Sequence, residues 1–134
     1  MTASGATVVY ESEVTQVGGQ VEAFLGHGLL IFFGAQSPVE LHDMSVLHKA
    51  TLEDDGPRAG DLLQVGSTEL EVLAVGPVVR DNLLNLGHLD LKADGRTEPN
   101  LPGDVCVRVG DLPLLRVGDH FRITRPGNSR EQHT

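Results

Sequence analysis

A chain of 134 residues holds about one domain and is large enough to bury a core without disulfides or metals. Its 19 acidic residues against 10 basic ones leave a net charge of -9. That charge repels phosphate backbones and anionic lipid, argues against nucleic acid, and favours encounter with a basic protein face.

Cys106 is the only cysteine, so neither an intramolecular disulfide nor a Cys-based zinc site can form within one chain. The N-terminal MTASGATVVY lacks a basic start followed by an apolar core, and no apolar run approaches the roughly 18 residues of a membrane helix. The expectation is a cytoplasmic protein without membrane insertion. In chain order, the runs TVVYESEVTQV, LLIFF, SVLHKATL, DLLQV, TELEVLAV, HLDLKA, DVCVRV and HFRIT are rich in Val and Leu, and Gly- or Pro-containing turn signals separate them. Short strands at that spacing predict an all-β fold, a small barrel-like or sandwich domain. TELEVLAV places Leu70, Val72 and Ala74 on one face, and DVCVRV places Val105, Val107 and Val109 together with Cys106 opposite, a structural rather than reactive setting.

Helix is confined to one or two short turns. SPVELHDM can make one, capped by Ser37 with Pro38 at its first position, and DNLLNLG another, ended by Gly87. Strand, short turn and strand are therefore expected across AVGPVVRDNLLNLGHLDLKADG. No repeat is evident. Residues 7–124 read as the folded domain, with flexible polar ends at 1–6 and 125–134.

Of the six histidines, His27 and His120 lie beside turn residues and His133 in the polar tail, where solvated or turn-packing roles suffice. His42, Asp43, His48 and His88 lack the local spacing of a metal site, and no phosphate-cradling glycine motif or nucleophile elbow is present, so no metal or cofactor is expected. His48 stands on a strand with Val46 and Ala50 as same-face neighbours. Partial burial there favours the neutral, nucleophilic imidazole. Ser45, Thr51 and Lys49 are candidate donors beside it, although Lys49 points to the other face if the strand runs straight. Local chemistry alone favours a packed imidazole over a reactive one.

Read together, LLIFFGAQSPVELHDMSVLHKATL, DLLQVGSTELEVLAVGPVVRDNLLNLGHLDLKADG and PGDVCVRVG resemble the glucitol/sorbitol-specific enzyme IIA family of the phosphoenolpyruvate-dependent sugar phosphotransferase system. The likeness spans approximately Thr7 to Thr124. Its most specific part is AVGPVVRDNLLNLGHLDLKADG, with an AVG turn, a DNL segment, a GH pair and a closing DG turn in order. The resemblance implies a small β-barrel-like phosphoryl carrier that takes phosphate from an HPr-like phosphocarrier and passes it to the IIB part of an enzyme IIB/IIC sugar permease, with no cofactor. It also implies His48 as the phosphoryl acceptor, on the ring nitrogen farther from the backbone, and places His88 at the family's GH position, as catalytic neighbour or structural imidazole. Ala50 stands where the family pattern often has a second histidine. The rival reading is a noncatalytic β-domain acting as a binding or regulatory module. A carrier requires a solvent-open His48, whereas a module permits its burial.

Overall fold

The computed structural model describes residues 5–127 and is a closed eight-stranded barrel with two short helices. Every Val- and Leu-rich run named above forms a strand: β1 Thr7–Val17, β2 Leu29–Gly34, β3 Val46–Glu53, β4 Leu62–Val65, β5 Thr68–Val75, β6 Leu89–Lys92, β7 Asp104–Val107 and β8 His120–Arg125. Around the barrel the order is β1-β3-β2-β6-β7-β5-β4-β8, and β8 pairs back onto β1. Closure is what distinguishes this fold from a sandwich, because no strand edge is left to pair with another chain. Two neighbouring pairs, β2/β3 and β6/β7, are parallel. Parallel neighbours cannot be joined by a hairpin, so both links are crossovers, and the first carries a 3-10 turn at Val39–Leu41.

Inward positions alternate as the strand period requires. Leu30, Phe32, Val46, Leu63, Val65, Val72, Leu89, Leu91, Val105, Val107, Phe121 and Ile123 are almost wholly buried in one core. Each contributes roughly 1.5–3 kcal/mol by leaving water. Helix α2, Val79–Leu86, packs Val79 and Leu83 into that core and ends at Gly87, which adopts the left-handed conformation at φ 65°. Strand, turn and strand across residues 68–92 thus follow the expected pattern.

Several local expectations differ from the structure. Helix α1, Val21–Leu25, was not anticipated in the sequence: it is five residues long and has no side-chain cap. The 3-10 turn is capped by Pro38 rather than Ser37, because it begins one residue later and the Leu41 N–H closes on the Pro38 carbonyl. Val109 does not join Val105 and Val107. The β7 ladder ends at Val107, whose carbonyl takes the Gly95 N–H, and Val109 is exposed. Strand β8 extends through Arg125, one residue into the expected tail. Residues 1–4 and 128–134, including His133, lie outside the described residues. Among the described residues no helix is long and apolar enough to cross a membrane.

The topology reveals a repeat that composition conceals. The succession β1-α1-β2-β3-β4 is matched by β5-α2-β6-β7-β8, and exchanging the two halves returns the same cyclic strand order. The ladders agree residue by residue. The pair Phe32↔Val46 corresponds to Leu91↔Val105, and Ser12↔Phe121 corresponds to Leu70↔Leu63. Under this pseudo-two-fold relation, Gly28 after α1 corresponds to Gly87 after α2, Ser12 to Leu70, Gly34 to Ala93 and His48 to Val107.

Candidate functional site

His48 enters the barrel from β3 between aromatic neighbours. Its ring meets Phe32 edge-to-face at 5.3 Å, Phe121 at 6.2 Å and 89°, and Tyr10 at 6.2 Å. It is 2 % exposed, so the solvent-open imidazole expected of a carrier is not what the structure presents. Strand sequence alone gives a half-buried residue; the extra cover comes from two distant segments. Ser12 of β1, fully buried, places its hydroxyl 2.6 Å from Nδ1, and the carbonyl of Gly87 lies 2.7 Å from Nε2. A carbonyl only accepts, so Nε2–H donates to Gly87 and the Ser12 hydroxyl donates to Nδ1. Burial pushes the His48 pKa below the ordinary imidazole value, against the Gly87 bond, which raises it. The ring is therefore neutral at pH 7.

The Gly87 carbonyl reaches the ring because two glycine backbones meet there. A Cβ on Gly87 would stand 2.5 Å from Gly34 N, 2.6 Å from Gly34 Cα and 3.3 Å from His48 Nε2. Helix α2 is tethered at its other end. Arg80 Nε donates to Asp55 at 2.7 Å, and the Val78 N–H donates to the Pro102 carbonyl. Asp55 also takes Arg125 Nη1 at 2.9 Å, and these arginines together with the Gly56 N–H hold its carboxyl well below the usual carboxylate range despite burial. The network joins the β3–β4 loop, the start of α2 and the end of β8, which fixes where Gly87 falls.

His48 and Gly87 form part of the wall of a cleft of about 870 Å³. The other walls include Phe33, Pro38, Leu41 and Leu84, with polar Gln36, Ser37, Lys49 and Asn85. Lys49 is exposed, lines this cleft and has no ion-pair partner among the described residues, so its outward direction on β3 does not remove it from the site. The hydroxyl of Ser37 is buried there without a hydrogen-bond partner among the described residues. Tyr10 lines the cleft too, and burial, reinforced by Glu53, pushes its phenol far above the ordinary value.

The structure does not bring Ser45 to the ring. Its hydroxyl donates to the Leu41 carbonyl at 2.6 Å, and the residue is absent from the cleft wall, because strand alternation turns it away from His48. Thr51 likewise bonds the Glu11 carbonyl. His88 stands outside the cleft, stacked on the cleft residue Phe33 at 4.1 Å and 9°, with Nε2 3.1 Å from Asp90. His42 donates to the Ser37 carbonyl. Sequence reasoning missed Ser12 altogether, although a serine between inward-facing Tyr10 and Val14 was a legible signal.

The family model described as "PTS system glucitol/sorbitol-specific IIA component" matches residues 9–122. The chain belongs to this family. It is 33% identical over 107 residues to the PTS system glucitol/sorbitol-specific EIIA component of Shigella flexneri and, equally, to that of Escherichia coli strain K12, covering 80% of this chain and 86% of each relative. A solved PTS system IIA component from Enterococcus faecalis V583 matches with a TM-score of 0.69 at 21% identity, over 87% of this chain and 98% of that one, and so shares the fold.

Proposed function

We propose that this IIA-family chain is a phosphoryl carrier that accepts phosphate on Nε2 of His48 from a phosphorylated HPr-like protein and passes it to the IIB part of a glucitol/sorbitol-type permease. One observation carries the assignment to His48: it is the imidazole in the wall of the cleft, held neutral by burial, with its far nitrogen directed at the Gly34–Gly87 wall. In the transfer, the donor's P–N bond breaks as a P–N bond to His48 forms, and the donor nitrogen keeps the electron pair. The second step repeats this with His48 as donor. Catalysis then rests on positioning and on donors to the phosphoryl oxygens. Lys49 and the buried Ser37 hydroxyl, which has no partner among the described residues, are the candidates for that work. His88 acts at one remove, by bracing Phe33.

A second reading draws on the burial of His48 and the bonds at both its nitrogens: a binding module that keeps the family fold with a packed imidazole. Intact-mass analysis after incubation with phosphorylated HPr separates the two. The carrier gains one phosphoryl group, acid-labile and base-stable, and folded His48→Gln gains none. An unmodified wild type favours the module, and a phosphorylated His48→Gln moves the site elsewhere.

A further inference from the structure

In the resting structure the ring is in the wrong tautomer for attack through Nε2. Donation to the Gly87 carbonyl means that Nε2 carries the proton and has no free electron pair, while the pair on Nδ1 is occupied by the Ser12 hydroxyl. Attack through Nε2 needs the opposite arrangement, with the proton on Nδ1 and an acceptor beside it. A hydroxyl can serve both states, since it donates through its proton and accepts through its oxygen. An amide N–H or a carbonyl at that place would lock one tautomer.

The pseudo-two-fold relation shows that the barrel itself does not require a hydroxyl there. The positions corresponding to Ser12 and His48 are Leu70, partly buried against the core, and Val107, within it. Ser12 is fully buried, and its hydroxyl makes its one side-chain hydrogen bond among the described residues to His48. A buried hydroxyl with a single partner is matched to that partner rather than to the packing.

Building on the carrier reading, we propose that Ser12 is a positioning residue that switches His48 between tautomers, with the Gly87 carbonyl as the latch of the resting one. When the ring leaves Gly87 and meets water in the cleft, the Nε2 proton passes to water and Nδ1 gains one from water. With the Gly87 carbonyl still withdrawn from Nε2, the ring then settles with Nδ1–H donating to Ser12 Oγ and the Nε2 pair open to phosphorus. After transfer Nε2 holds phosphorus and Nδ1 keeps its proton, so the ring is an imidazolium whose positive charge is offset by the attached phosphoryl dianion, and its Nδ1–H donates to Ser12 Oγ. Gly87 suits this exchange because it puts no side chain beside Nε2.

The test combines nitrogen-15 spectra of the histidine rings with the rate of phosphoryl acceptance from phosphorylated HPr. Wild type is expected to show a protonated Nε2 and unprotonated Nδ1 before loading, and a protonated Nδ1 after it. Ser12→Ala should fold normally, accept phosphate about 10- to 100-fold more slowly, and lose protonation at Nδ1 of the phosphorylated ring. Ser12→Thr should return the rate to within about threefold of wild type, because it restores the hydroxyl. A wild-type rate in Ser12→Ala, a resting ring already protonated on Nδ1, or slow transfer with Nδ1 still protonated as in wild type would each overturn the inference alone. A wild type that takes no phosphoryl group overturns the carrier reading and the inference with it.

Discussion

Gly87→Ala separates the demands made on this residue. The left-handed backbone at φ 65° costs an alanine about 1–2 kcal/mol wherever it occurs. The added Cβ would also sit 2.5 Å and 2.6 Å from backbone atoms of Gly34, in a β-strand that cannot move aside as a flexible side chain would. Relieving such overlap costs roughly 1–3 kcal/mol, for a total of about 2–5 kcal/mol. Gly118→Ala is the control, since φ is 94° there and an added Cβ meets nothing within 4 Å, leaving only the backbone cost. At roughly 3–5 °C per kcal/mol for a domain of this size, the overlap cost alone should make Gly87→Ala melt about 3–15 °C below Gly118→Ala. Thermal unfolding followed by circular dichroism measures the gap. Equal melting temperatures would refute the claim that the α2 terminus and β2 are in tight backbone contact, and with it the account of how the Gly87 carbonyl reaches His48.

Burial lowers the His48 pKa, so the unfolded chain takes up a proton before the folded one: the stability gained from the neutral ring is complete above about pH 6.5 and is lost as pH falls through the lowered value. Denaturant titrations from pH 8 to 5 should show this loss in wild type and not in His48→Gln, and parallel curves would contradict it. Asp55 obeys the same sign at lower pH, with full stabilisation above about pH 4 and loss as pH falls through its depressed value. Asp55→Asn should cost on the order of 1–2 kcal/mol near neutrality, given the exposure of Arg58 and Arg80, and should flatten the acid limb of the stability profile. The Cys106 thiol is buried, and desolvation with Asp94 nearby pushes its pKa up to about 11. It should resist disulfide reagents at pH 8 until the protein unfolds, and Cys106→Ser should leave phosphoryl acceptance within about twofold of wild type, as read by intact mass against time.

The eight strands were legible because alternation and turn spacing are local properties. Their order around the barrel was not, because the choice of β3 and β6 as neighbours of β2 depends on crossovers that no short window encodes. The same distinction runs through the site. SVLHKATL marks His48, and its resemblance to the family selects it, but the groups that set its protonation are Ser12 and Gly87, at sequence separations of 36 and 39. Ser45, three residues away along the same strand entry, looked closer and is turned to Leu41 instead. Proximity in sequence therefore misidentified the partner of the ring.

The two halves of the barrel show what placing a buried, hydrogen-bonded imidazole at a packing position requires. Beyond the end of β6, the Ala93 N–H donates to the Gly28 carbonyl, and Val107 fills the place that corresponds to His48. In the other half the corresponding glycine carbonyl, Gly87, accepts from the imidazole itself. Three differences accompany the exchange: histidine for valine supplies the ring, serine for leucine partners its inner nitrogen, and glycine for alanine at Gly34 lets the α2 terminus close on its outer one. Each depends on the others, because an unpartnered buried nitrogen costs about 1–3 kcal/mol. A Cβ at Gly34 would also stand 3.0 Å from the Leu86 carbonyl. The apolar core continues through both halves, so His48 and Ser12 are polar groups set into a barrel whose other inward positions are predominantly apolar.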